Sequence, residues 1–148
     1  MRTKLVGFGV LLGLLLTVVV VGAAEDIAIV KSVAGQVEVK RSGQVNKLKA
    51  GDNLESGDIL MTGPQSRVGV IFNDGSTLAL AENSYLRIDD FIFKPIESRF
   101  KFHIYMEQGT ALFGSGKIGK LAPEKFKFEI PRGTIGIRGT KFLVEVRK

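Results

Sequence analysis

Cysteine is absent from the 148 residues, and histidine occurs once, at His103. Without cysteine there is no disulfide, no thiolate nucleophile, no cysteine-ligated metal and no lipid attached through a lipoprotein cysteine. The fold must then hold by packing and hydrogen bonding alone. One histidine cannot build a histidine-rich metal centre, and no serine with a partnered acid completes a hydrolytic triad. Helical periodicity is also missing. After the first two dozen residues, no segment offers two turns of apolar residues at helical spacing. The expectation is a protein with no enzyme activity, no cofactor and no metal.

One long apolar run is present, at the start. Arg2 and Lys4 precede an uncharged stretch from Leu5 to Val21, and Gly22-Ala23-Ala24 supplies small residues before Glu25. That is the layout of an export signal cut after Ala23 or Ala24. With Gly22 to Ala24 added, the run also reaches the roughly 20 residues that span a bilayer, so retention as a membrane anchor fits as well. Both readings place residues 25–148 outside the cytoplasm, as a single domain, with membrane contact only through residues 5–24 if the segment is kept.

Charge is unevenly spread. Residues 25–90 hold seven lysines and arginines against ten acids, whereas residues 91–148 hold twelve against five. In an exported domain, a basic half points to an acidic protein face, envelope polysaccharide or lipid phosphate rather than to nucleic acid. The plainer reading is that lysines solubilise outer strand faces and discourage edge pairing.

Period-two alternation fills the rest of the chain. Val37 and Val39 share one face, as do Val68, Val70 and Phe72, and then Leu78 and Leu80. Phe100, Phe102, Ile104 and Met106 lie opposite Lys101, His103, Tyr105 and Glu107, and Phe126, Phe128 and Ile130 lie opposite Lys125, Lys127 and Glu129. Each reads as a strand with one wet and one dry face, the habit of antiparallel sheets. Asn73-Asp74-Gly75-Ser76 forms a hairpin turn, and further corners fall at "RSGQ", "AGDN", "SGD" and "TGPQ". The predicted fold is all-β: an antiparallel sandwich or a jelly-roll-like curled sheet, behind an N-terminal signal or anchor helix.

Three motifs invite chemistry. Asp52 and Asp58 each follow a glycine, but Leu54 and Ile59 beside them look like core, so the aspartates read as turn caps rather than calcium ligands. "GSGKIG" (Gly114 to Gly119) fits the G-x-G-x-x-G dinucleotide pattern, yet the pattern carries meaning only where a helix starts. Lys120-Leu121-Ala122-Pro123 follows, and the expectation is a mobile loop between two strands. In "PRGTIGIRGTKFLVEV" (Pro131 to Val146) the apolar parity switches from Ile135 and Ile137 to Phe142, Val144 and Val146. One strand interrupted by a bulge at Gly139 would account for the switch. Arg138 then either pairs with a turn acid or is offered to a partner.

"SGDILMTGPQSRVGVIFNDGSTLALAENSYLRI" followed by "GTIGIRGTKFLVEV" resembles the extracytoplasmic domain of FecR-type proteins, over roughly Val33 to Val146. The matching positions are Gly57, Asp58, Thr62, Gly63, Asp74, Gly75, Ser76, Arg138, Gly139, Thr140 and Phe142, and the resemblance implies that they define the fold rather than catalyse. It also implies a signalling module that works by protein contact. The regulators of that family restrain a sigma factor through an inner segment, whereas here only Met1 to Lys4 precede the hydrophobic run; the expectation is the outer domain alone. The function expected is a non-enzymatic envelope binding module, with an envelope protein as partner and Arg138, Lys125, Lys127 and Lys101 as candidate contacts. The alternative is a structural module whose basic face rests on anionic polysaccharide or lipid head groups.

Overall fold

The computed structural model describes residues 18–139 and 141–148. The first seventeen residues of the expected export segment lie outside the described residues, as does Thr140. Among the described residues, no helix is long and apolar enough to cross a membrane.

Twelve strands form one strongly curled sheet: β1 (Asp26–Ala34), β2 (Val37–Arg41), β3 (Gln44–Lys47), β4 (Asn53–Glu55), β5 (Ile59–Thr62), β6 (Arg67–Phe72), β7 (Thr77–Leu80), β8 (Tyr85–Lys94), β9 (Arg99–Gly114), β10 (Phe126–Ile130), β11 (Gly133–Ile135) and β12 (Lys141–Val146). The curl folds it into two facing halves. The first half runs β3-β2-β5-β8-β9-β10-β11 and the second β4-β1-β6-β7-β9-β12. All pairings are antiparallel except β10 beside β9, which is parallel. That exception follows from the connection, a crossover through the short helix α1 (Lys117–Leu121).

β9 belongs to both halves. Its residues from Arg99 to Gln108 pair with β8, and those from Gly109 to Gly114 pair with β12. The change of partner falls at Gly109, whose φ of +103° suits glycine alone. A Cβ there would lie 2.4 Å from the Cα of Ser84, so no side chain fits in any case.

The alternation read from the sequence places the core. Val37, Val39, Val68, Val70, Phe72, Leu78, Leu80, Phe102, Ile104, Met106, Phe126 and Phe128 are all buried. Phenylalanines from both halves meet at Phe102, whose ring lies 4.7 Å from Phe72, 5.1 Å from Phe91, 5.5 Å from Phe113 and 5.3 Å from Phe126, the separations at which aromatic pairs attract.

One irregularity bears on function. In β8 the inward residues are Leu86 and Ile88, then Phe91 and Phe93. Ile88 pairs with Ile104 and Asp90 with His103, so Asp89 is a surplus residue in a β-bulge. Asp89 and Asp90 are both turned toward the outer face.

Candidate functional site

The motif residues of the first two thirds of the chain are spent on corners. Asp58 is fully buried and accepts from the Arg41 fork, Nε at 2.8 Å and Nη2 at 2.7 Å, and from the Glu55 amide at 2.8 Å. Arg41 also reaches Glu55 at 2.9 Å and the Asn53 carbonyl at 3.0 Å. The Asp58 hydrogen bond holds the Arg41 guanidinium above its ordinary pKa. Asp52 caps its own turn through the Lys49 amide at 2.8 Å. Thr62 donates to the Ala81 carbonyl at 2.6 Å and accepts the Ser84 amide at 2.9 Å, while the Gly63 carbonyl takes the Asn83 amide at 3.2 Å. Gly57 and Gly75 both have positive φ.

The Asp74-Gly75-Ser76 turn holds a second segment as well as its own hairpin. The buried Asp74 carboxylate accepts from the Ser76 amide at 2.9 Å, the Ser76 hydroxyl at 2.8 Å and the Ile118 amide at 3.1 Å. Its carbonyl takes the Lys117 amide at 2.8 Å, and Ser76 Oγ takes that of Gly116 at 2.9 Å. "GSGKIG" is therefore not the mobile loop expected between strands. It enters α1, is latched to the hairpin turn, and drives Ile118 into the core. The amides that a phosphate would need are already engaged within the fold.

The C-terminal stretch also departs from expectation. β11 pairs with β10 and β12 with β9, so Gly139 does not bulge a single strand. It lies in the link between two strands of different halves. Its φ of +67° explains the glycine, as a corner. Ile137 and Phe142 both reach the interior, Phe142 against Phe113 at 5.4 Å. Arg138 is exposed, and the pairing considered for it does not occur among the described residues.

The remaining candidate contacts separate. Lys101 pairs with Asp90 at 2.5 Å and Lys127 pairs with Glu129, both on the outer face of the first half-sheet. Lys125 is exposed in the turn before β10. His103 is not simply wet. Its Nε2 lies 2.9 Å from Glu129 Oε2 and 3.6 Å from Asp89 Oδ2. Beside them, Arg87 pairs with Asp89 and stacks over Tyr105.

The outer face of the second half-sheet is different in kind. Leu143, Leu112, Ala79, Gly69 and Ser32 stand in register across β12, β9, β7, β6 and β1. Side chains shrink from Leu143 and Leu112 to Ala79 and Gly69 and leave a shallow, mostly apolar groove, with Leu143 66% and Leu112 47% exposed. Lys31, Arg67 and Lys141 line it, and no acid does among the described residues. Sequence reading missed this surface because a leucine at an outward position is unremarkable alone; only the register brings two together.

Comparison with known proteins gives a family and little more. A family model described as FecR protein matches residues 58–148. No curated protein matches the chain. A solved structure described as a cell surface anchoring domain is 29% identical, covering 41% of this chain and 82% of that one with a TM-score of 0.40.

Proposed function

The chain belongs to the FecR family, and on that premise we propose that this envelope-associated module is an exported, non-enzymatic domain that binds another envelope protein on the outer face of its second half-sheet. The apolar row from Leu143 to Ser32 carries the reading. Exposed leucines adjacent in register are costly in water, at roughly 25 cal/mol per Å² of apolar surface, and a partner recovers that cost. Lys31, Arg67 and Lys141 around the groove select a segment that presents apolar side chains between acids. The edge backbone of β12 adjoins the row and offers a strand-pairing site to the same segment. A non-catalytic role agrees with the way Asp58, Asp74, Thr62 and Ser76 direct their polar atoms to internal partners.

A photo-crosslinking residue at position 112 tests the proposal, with one at position 92 on the opposite half-sheet as control. The expected result is saturable crosslinking from position 112 to one envelope protein, suppressed about tenfold by Leu143→Asp at unchanged melting temperature. Equal yields from both positions, or indifference to Leu143→Asp, overturn it. Retention on anionic vesicles or purified envelope glycan without a protein crosslink would instead favour the structural role on anionic polymer.

A further inference from the structure

We propose that Asp89, His103 and Glu129 form a binding site for one divalent transition-metal ion of the zinc type on the outer face of the first half-sheet. The three residues come from β8, β9 and β10, and one ligand atom of each lies within 4.8 Å of the other two. Ligands held about 2.0–2.1 Å from a tetrahedral ion stand about 3.3 Å apart. The separations from His103 Nε2, 2.9 Å to Glu129 Oε2 and 3.6 Å to Asp89 Oδ2, bracket that value. The two carboxylate oxygens lie within 4.8 Å of each other, so a movement of up to about 1.5 Å between these partly exposed side chains closes the site.

Two further features set this cluster apart from a chance meeting of surface charges. The first is the bulge, which adds Asp89 to β8 and turns it outward beside Asp90. Asp90 serves Lys101, which leaves Asp89 for the histidine. The second is the support of each carboxylate. Asp89 Oδ1 is held by Arg87 and Glu129 Oε1 by Lys127, so in both cases the other oxygen faces the imidazole. Ligating carboxylates in metal sites are commonly held through their second oxygen in this way. Two carboxylates balance a divalent charge, and the imidazole favours zinc, copper or nickel over calcium and magnesium. All three side chains are 20–29% exposed, so water completes the coordination. Loading displaces the proton that Nε2 gives to Glu129 and leaves a neutral ring with its proton on Nδ1, so that the Nε2 lone pair meets the ion.

The chain's single histidine makes the test unambiguous. Tag-free full-length protein, stripped with chelator, is titrated with zinc while the side-chain nitrogens of His103 are followed by NMR and heat by calorimetry. The expected result is one ion per chain, a large shift of Nε2 with Nδ1 retaining its proton, and a visible absorption band with cobalt in place of zinc. His103→Gln and Glu129→Gln should each lower affinity by a factor of about 100 or more at unchanged fold. An imidazole signal unmoved at millimolar zinc overturns the proposal, as does undiminished binding by His103→Gln.

Discussion

Replacing Asp74 by Ala should destabilise the domain by about 3–4 kcal/mol, a large share of the roughly 5–15 kcal/mol that holds a domain together. The magnitude follows from the three donors that the carboxylate serves: the Ser76 amide, the Ser76 hydroxyl and the Ile118 amide. The hydroxyl can turn to another acceptor, but the two amides are orphaned in a buried setting, at roughly 1–3 kcal/mol each. Part of that loss is offset, since a carboxylate no longer has to be kept out of water. Asp74→Asn retains one acceptor oxygen and should cost about half as much. Urea unfolding followed by far-ultraviolet circular dichroism measures the difference, and a thermal melt should fall by about 12–20 °C for a domain of this size. Ser76→Ala combined with Asp74→Ala should show coupling of about 1 kcal/mol or more, because the two residues hold α1 together. A loss below ~0.5 kcal/mol, the size of an ordinary surface substitution, would refute the idea that this turn latches the crossover.

Gly109→Ala should leave little folded protein, because the new Cβ would sit 2.4 Å from the Cα of Ser84 at a φ of +103°; yield and circular dichroism decide it. Arg41→Ala should cost about 1–3 kcal/mol, because Asp58 is buried and loses its fork while the half-exposed guanidinium side is screened by water, as read by urea titration. Gly139→Val should cost about 1–2 kcal/mol from backbone strain, since apart from its chain neighbours no atom of the described residues lies within 4 Å of the site of the new Cβ. Glu129 is held below the usual carboxylate range by hydrogen bonds from Lys127 and His103. Its folded-state pKa is depressed, so its contribution to stability is present above the ordinary glutamate pKa of about 4.3 and fades as pH falls through the lower folded value. Carboxyl NMR against pH checks the direction.

Much of this fold is legible in the strand alternation, because a half-buried sheet writes its two faces into alternate residues. Phe102, Ile104 and Met106 are buried where Lys101, His103 and Tyr105 are not, as their parity requires. The parity switch near Gly139 misleads, since Ile135 and Phe142 belong to strands with different partners and share no register. A true switch lies in "YLRIDDFIFK", where Leu86 and Ile88 give way to Phe91 and Phe93 across Asp89-Asp90, and it was readable by the same rule. Helix α1 left no such trace. Its five residues include Gly119 and are held by Asp74, 44 positions away from Ile118. The histidine cluster was equally silent, as it depends on strand order that brings β8 and β10 to either side of β9.

A single backbone ribbon serving as the keel of both halves has a mechanical consequence. Neither side of the curl can peel away without withdrawing hydrogen-bond partners from the other, because each side would lose the same sixteen-residue strand. Heat or pulling force should therefore meet one all-or-none unit, whose slowest-exchanging amides run the length of that ribbon through its glycine bend.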